Sequence, residues 1–166
     1  MRNGSQQSSD ENSRYLRSVV RVFPDYAGTV LWFVGGPVDY AEAEIGDELA
    51  AAMRRWETAY YDALGPDLEW PSPAARLAHA EAGLDLARRL SDELGDAFEV
   101  EVFDEHDRPC RLRGRHAPMN PRAVAAFRAR VAEDEALTAQ VDEMRADGAR
   151  FEAHGGGARF EAHEPE

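Results

Sequence analysis

The sequence predicts a small α+β domain, in which a three- to four-stranded, mainly antiparallel sheet packs against two to three helices. Short runs rich in β-branched residues and longer stretches of helical periodicity lead to this fold class, with turn residues between them. The chain has 166 residues, 43% of them hydrophobic, which suits one domain with a core. We expect a disordered arm over residues 1–14, a single domain over 15–147 and a flexible tail over 148–166.

The domain is predicted to begin with a β-hairpin, because the polar residues before Tyr15 lack the apolar side chains that would repay ordering. Val19–Phe23 (VVRVF) and Thr29–Val34 (TVLWFV) have the length and composition of strands. Pro24–Gly28 supplies turn residues for a five-residue loop between them. Gly35-Gly36-Pro37 is then predicted to end the sheet.

Two helices are predicted next. The first runs from about Asp47 to Leu64, because its apolar residues recur on one helical face. These residues are Leu49, Met53, Trp56, Tyr60 and Leu64. The second helix begins with Ser72 and has Pro73 at its first helical position, a combination typical of helix starts. Gly95 ends it.

A second strand pair follows the helices. In Phe98–Phe103 (FEVEVF) apolar and acidic residues alternate, which is typical of a half-buried strand. Cys110–Arg115 (CRLRGR) is predicted to be the returning strand, with its arginines on the same face as Glu99 and Glu101. Cross-strand Glu–Arg pairs of this kind contribute about 0.2–1 kcal/mol each.

The last predicted helix begins at Asn120-Pro121 and places Val124, Phe127 and Val131 on its core face. The apolar stripe then loses its phase, so we expect a break near residues 133–135. The heptapeptide GARFEAH occurs twice near the C-terminus, at Gly148–His154 and Gly157–His163. Two short copies cannot form a solenoid. They fit either a duplicated flexible tail or a linear motif used twice.

Charge is segregated along the chain. Between Asp39 and Glu69 there are nine acidic and two basic residues, whereas Arg108–Arg130 contains seven arginines and no acid. Such blocks create local fields that orient charged partners. The net charge of −13 disfavours nonspecific binding of nucleic acid by the chain as a whole and favours a basic protein partner.

Cys110 is the single cysteine, which excludes an internal disulfide and fits a reducing cytoplasm. The polar start, Met1–Asn12, lacks the apolar region of a signal peptide, and no apolar run is long enough to span a membrane. We therefore expect a cytoplasmic protein with no membrane partner. The sequence contains no recognised catalytic motif, and we expect no cofactor, no resident metal and no catalytic residue.

Several segments together resemble a group of small actinobacterial α/β proteins. The shared pattern is a D-Y turn, an L-W strand, a helical tryptophan, a helix ending in L-x-x-E-L and a strand ending in F-D-E. In this chain the pattern is met by Asp25-Tyr26, Leu31-Trp32, Trp56, Leu90–Leu94 and Phe103–Glu105. It covers roughly Arg17 to Glu105. The group has no activity to transfer, but its size and acidity are similar to those of toxin-immunity proteins, an analogy that implies a toxin partner.

The leading hypothesis is a non-enzymatic protein-binding module of the immunity or antitoxin type, which covers a basic surface of a toxin. Its acidic residues would meet the cations with which the toxin binds substrate, and a tyrosine would anchor the contact. The predicted partner-binding residues are Glu42, Glu44, Asp47, Glu48, Glu57 and Tyr61. The oligomeric state is left open.

Two alternatives also remain open. A metal- or thiol-dependent enzyme would use His106, Cys110 and His116, whose side chains suit zinc or a thiol–imidazole pair, although their spacing matches no standard zinc pattern. A nucleic-acid-associated protein would use the arginines of Arg108–Arg130 for phosphate contacts. The competing interpretation of that block is structural, with its arginines paired to acidic residues of the same chain.

Overall fold

The computed structural model describes the backbone of residues 3–155 and the side chains of residues 11–146. The chain divides into two compact units, Met1–Val131 and Ala132–Glu166. Within the described range there are four helices and five strands. They are α1 (Asn3–Ser18), β1 (Val19–Val22), β2 (Leu31–Phe33), β3 (Gly36–Pro37), α2 (Asp47–Ala63), α3 (Pro73–Leu94), β4 (Glu99–Phe103), β5 (Pro109–Arg113) and α4 (Pro121–Gly155).

The five strands form one mixed sheet in the order β3-β2-β1-β4-β5. The predicted α+β class and both predicted antiparallel pairs, β1–β2 and β4–β5, are confirmed. The expected numbers of elements are wrong, because the sheet has five strands rather than three to four and the described residues contain four helices rather than two to three. The sheet is mainly antiparallel as predicted, but two of its features differ from the expectation. Strand β1 pairs in parallel with β4, and Gly36–Pro37 forms the short edge strand β3 where the sequence predicts the end of the sheet. Proline is tolerated at a sheet edge because an edge strand does not need every N–H for pairing.

Valines of the two parallel strands form the centre of the core. Val20 and Val22 of β1 and Val100 and Val102 of β4 are all 2% exposed or less. The helices complete this core with side chains that are fully buried, namely Met53 of α2, Leu90 of α3 and Phe127 of α4. Burying an aliphatic or aromatic side chain of this size contributes about 1.5–3 kcal/mol.

The predicted bounds of α2 and α3 are confirmed to within one residue. The Ser72 hydroxyl accepts a hydrogen bond from the Ala75 N–H at 3.1 Å, which caps α3. Gly95 ends α3 with a φ of 59°, and a Cβ there would lie 2.6 Å from the His116 carbonyl oxygen. Only glycine fits this combination of backbone angle and close approach.

Helix α1 occupies the segment for which the sequence predicts a disordered arm. Its C-terminal end is held by Leu16, which packs against the core, and by Tyr15, whose hydroxyl donates to the Glu101 carboxylate at 2.6 Å. The Arg111 guanidinium lies 4.9 Å from the centre of the Tyr15 ring. These partners lie on β4 and β5, so the composition of the first residues gives no sign of them.

Helix α4 is continuous through residues 133–135, and the predicted break there is wrong. Alanine and glutamate dominate this stretch, and their high helix propensity sustains a helix after the apolar stripe ends. Its last turns, up to Gly155, overlap the predicted tail, and the second GARFEAH copy lies outside the described residues. The domain boundaries at residues 14 and 147 stay predictions.

The predicted Glu–Arg pairing between β4 and β5 is confirmed, with Glu99 opposite Arg113 and Glu101 opposite Arg111. Glu101 is nevertheless only 3% exposed, whereas the sequence places it on a polar face. Because α1 covers this position, its carboxylate is satisfied internally, by the Tyr15 hydroxyl and by Arg111 Nε at 2.8 Å.

We predict that Glu101→Ala lowers the free energy of unfolding by about 2 kcal/mol, because it removes a buried carboxylate that accepts hydrogen bonds from Tyr15 and Arg111. The matched control is Glu99→Ala, on the same face of β4 but half-buried and without an ion pair among the described residues. It is expected to cost less than about 1 kcal/mol. Urea denaturation at neutral pH measures both, and equal losses would contradict the prediction.

Candidate partner-binding site

The predicted partner-binding acids lie mostly on one exposed segment, the loop before α2 and its first turn. We call this the acidic surface, and it consists of Asp39, Glu42, Glu44, Asp47 and Glu48, all exposed. Asp47 and Glu48 occupy the first turn of α2, where the helix dipole favours negative charge. The helix therefore gains stability from these two acids.

The acidic and arginine blocks partly neutralise each other. Glu42 forms an ion pair with Arg130, and Glu44 forms one with Arg122. No ion pair involves Asp47 or Glu48 among the residues whose side chains are described. Asp39 also has no ion pair there, but its carboxylate accepts a hydrogen bond from the Ala41 backbone N–H at 2.8 Å. Asp47 and Glu48 are therefore the most available carboxylates of the acidic surface.

Other arginines of the block are also satisfied within the chain. Arg108 pairs with Asp104 at 2.7 Å, and Arg111 pairs with Glu101 at 2.8 Å. Arg113 donates to the Asp96 carbonyl oxygen at 3.1 Å. These contacts favour the structural interpretation of the arginine block over a phosphate-binding one.

The last two predicted residues, Glu57 and Tyr61, lie on α2. Glu57 is 9% exposed, and burial raises the pKa of its carboxyl. The Tyr61 hydroxyl accepts a hydrogen bond from the Tyr26 backbone N–H, and the two rings lie 4.6 Å apart. Tyr26 itself is 75% exposed, so it is the accessible member of this aromatic pair.

A cavity of about 490 Å³ opens where the parallel strands β1 and β4 end. The carboxyl ends of parallel strands meet at one edge of a sheet, which is where ligands bind in many open α/β folds. Aromatic rings dominate the lining, and we call this the aromatic cavity. The rings belong to Tyr15, Phe23, Trp56, Tyr60, Trp70, His79 and Phe103.

The rings on the helical side of the cavity pack against one another around His79. Its imidazole stacks on Trp56 at 4.5 Å between centroids and lies 5.0 Å from Trp70 and 5.3 Å from Tyr60. The Trp56 indole N–H donates to the His79 carbonyl oxygen at 3.0 Å. Gly83 allows Trp56 to approach α3, since a Cβ there would lie 2.6 Å from Trp56 Cζ2. These four rings are therefore held in place by contacts within the chain, before any ligand binds.

Charged groups complete the lining of the aromatic cavity. It contains two arginines, Arg21 and Arg76, and four acids, three of which are paired with arginines. The acids are Glu101, Asp104, Glu105 and Asp107. Arg76 is paired with Asp107 at 2.6 Å. Burial lowers the pKa of His79 to about 4, so its ring is neutral at physiological pH and adds no positive charge.

The turn after β4 brings ligand atoms of Asp104, Glu105 and His106 within 4.8 Å of one another. Asp104 is already engaged there: its carboxylate accepts from the backbone N–H groups of His106 and Arg108, both at 2.9 Å. Hydrogen bonds from Arg108 hold the pKa of Asp104 at about 2. The contacts match a self-bonded polar turn.

The three residues of the enzyme alternative are not brought together. His106 precedes β5 and His116 follows it, so the two imidazoles lie at opposite ends of the strand. His116 Nε2 is 3.4 Å from an Asp92 carboxylate oxygen, and Cys110 packs against the core. The arrangement offers neither a shared metal site nor a thiol–imidazole pair built on both histidines.

A family model described as Serratia CdiI immunity protein-like matches residues 18–105, just over half of the chain. The chain belongs to this family. The predicted resemblance to toxin-immunity proteins is thereby confirmed, and membership of the family implies a toxin partner. The matched segment of this immunity protein contains the acidic surface and most of the aromatic cavity.

The comparisons with curated proteins and with solved structures gave no significant match. Within the described part of the immunity protein, none of the helices has the length and apolarity required to cross a membrane.

The sequence did not predict the aromatic cavity of the immunity protein. Periodicity places Trp56 on the apolar face of α2, and no sequence pattern singles out Trp70 or His79. The available signal was the density of aromatic residues in the segment from Trp56 to His79, which spans the end of one helix, a loop and the start of the next. Periodicity assigns only Trp56 and Tyr60 to a helical face, so it does not show that all four rings meet.

We predict that His79 makes the stability of the immunity protein pH-dependent. The pKa of His79 is about 4 in the folded state and 6.5 as the unperturbed value, so the unfolded chain alone takes up this proton as the pH falls between these values. Stability therefore falls across this window, by on the order of 3 kcal/mol.

The test compares the protein with its His79→Phe variant, which keeps a ring but cannot titrate. Urea denaturation between pH 7 and pH 4 should show a smaller loss of unfolding free energy in the variant. The raised pKa of Glu57 changes stability in the opposite direction, but it is present in both proteins and cancels in the difference. Parallel pH profiles would show that His79 does not titrate in this way.

Proposed function

We propose that this immunity protein neutralises its toxin by binding it directly and covering a basic surface of the toxin with the acidic surface. The observation that supports this most strongly is the pair Asp47 and Glu48, two exposed acids on one helical turn with no ion pair among the described residues. The net charge of −13 adds long-range attraction to a basic partner. Complementary charge of this kind speeds association and fixes orientation.

The other predicted acids have secondary roles in this proposal. Glu42 and Glu44 are ion-paired with Arg130 and Arg122, so toxin cations would have to compete with those arginines. Exposed ion pairs contribute only about 0–1 kcal/mol, so this exchange costs little. The two carboxylates then serve as adaptable contacts around Asp47 and Glu48.

Glu57 and Tyr61 support the interface from α2 in the same proposal. Glu57 is buried, so we assign it a structural role in α2 rather than a direct contact with the toxin. Tyr61 positions Tyr26 through a ring contact, and the exposed Tyr26 ring becomes the aromatic anchor. Tyrosine is enriched among the residues that contribute most to binding energy at interfaces. We expect the complex to form in the cytoplasm, without cofactor or metal.

The test is charge reversal at the two unpaired acids. Asp47→Arg/Glu48→Arg should weaken binding of the cognate toxin by about tenfold or more, mainly through slower association. The matched control is Asp85→Arg/Glu143→Arg, which changes the net charge equally at two exposed positions outside the acidic surface. Binding kinetics at low and high salt measure both variants.

The control is expected to stay within about threefold of the unmodified protein at physiological salt, because surface charges beyond a Debye length of about 8 Å are largely screened. Reversal in the first turn of α2 also costs about 0.3–1 kcal/mol of helix stability. Thermal unfolding therefore accompanies the binding measurement. Equal weakening by both double variants would contradict the assigned surface, and no binding of the toxin at low salt would contradict the proposal itself.

A further inference from the structure

We infer that the aromatic cavity receives a cationic side chain of the toxin, with an arginine guanidinium as the best fit. The inference rests on the proposed function, since it assumes that this protein binds its toxin directly. It adds a second contact region, separate from the acidic surface, and it names the chemistry recognised there.

The first argument is the aromatic lining. Tyr60, Trp70 and His79 present three rings with centroids 5.0–5.7 Å apart, and these rings meet at different angles. Aromatic faces attract a cation placed within about 6 Å, and tryptophan does so most strongly. A planar guanidinium also stacks on such faces, which a lysine ammonium does not.

The second argument is the charge of the lining. Three of the four acids are each paired with an arginine, which leaves Glu105 as the lining acid with no arginine partner among the described residues. Glu105 is half-buried, and its only ion-pair partner among the described residues is the imidazole of His106, 3.3 Å away. This carboxylate is therefore free to accept hydrogen bonds from a guanidinium. His79 does not oppose the entry of a cation, because burial keeps its imidazole neutral.

The third argument is an unsatisfied donor. The Nε of Arg21 is buried and has no hydrogen-bond partner among the described residues, although Arg21 lines the cavity. A buried polar group without a partner is costly, so its persistence points to a partner supplied from outside. A carbonyl oxygen of the inserted toxin segment has the required chemistry, because a peptide that brings a cationic side chain also brings backbone acceptors.

The loops around this end of the sheet give further support. Tyr26, Leu68 and Asp107 have positive φ values of 45°, 58° and 59°, and they lie in the β1–β2, α2–α3 and β4–β5 loops. Non-glycine residues held in this conformation cluster at ligand-binding sites. Leu68 is also 66% exposed and lines a second cavity, which shares Trp70 and Glu105 with the aromatic cavity. An apolar, exposed rim of this kind suits a protein partner.

The first experiment measures toxin affinity for variants of the cavity. Trp70→Ala and Glu105→Gln should each weaken binding by about tenfold or more, whereas Trp70→Phe, which keeps an aromatic face, should retain most of the affinity. The matched control is Met119→Ala, since Met119 is 74% exposed but does not line the cavity. Glu105→Gln preserves size and shape, so its result stays informative if Trp70→Ala is unstable.

The second experiment uses small probes and needs no toxin. N-acetyl-arginine amide should shift the indole N–H resonances of Trp56 and Trp70 in a saturable way, and the effect should be lost in Glu105→Gln. N-acetyl-citrulline amide has nearly the same shape without the charge and should produce no saturable shift. An equal response to both probes, or to neither, would overturn the inference.

The outcomes separate the two proposals. If charge reversal at Asp47 and Glu48 weakens toxin binding while the cavity variants bind normally, the cavity inference is wrong and the proposed function stands. If the unmodified protein binds no toxin, the proposed function is wrong, and the probe titration alone then shows whether the cavity selects a cation.

Discussion

The parallel pairing of β1 with β4 is the constraint on which the rest of this structure depends. It aligns Val20 and Val22 with Val100 and Val102 and so creates the buried strip that the helices cover. It also brings the carboxyl ends of both strands to one edge of the sheet, where the aromatic cavity opens. The core and the proposed binding region therefore have a common origin in one long-range strand pairing.

The charged side chains of this immunity protein fall into two groups, those paired within the chain and those with no ion-pair partner of opposite full charge among the described residues. Most of the arginine block is engaged by acids or carbonyl groups of the same chain, including the pairs Glu42–Arg130 and Glu44–Arg122. What remains is the negative charge of Asp47 and Glu48 in the first turn of α2 and that of Glu105 in the lining of the aromatic cavity. Both sites favour a protein partner with exposed cations, so the two proposed contact regions are consistent with one toxin.

The sequence predicted those features of the fold that depend on residues close together in the chain. The Ser72-Pro73 helix start, the alternation in Phe98–Phe103 and the Glu–Arg register of β4 and β5 all follow from neighbouring residues. The parallel pairing of β1 with β4 does not follow from neighbouring residues, because the two strands are far apart in the chain. A four-residue strand does not by itself specify its partner. Helix α1 was not predicted for the same reason. Its C-terminal end is held by the hydrogen bond from Tyr15 to Glu101, and these residues are far apart in the chain. The acidic block was apparent from the sequence, but its pairing with distant arginines and the gathering of Trp56, Trp70 and His79 required the fold.

The central claim is that this family member binds a toxin through the acidic surface and the aromatic cavity. Hydrogen exchange of the full chain, free and in complex with its cognate toxin, tests it most directly. We predict slower exchange in the complex at the first turn of α2 and in the three loops around the aromatic cavity. Exchange that slows elsewhere but is unchanged at the first turn of α2 and in these loops would contradict the account.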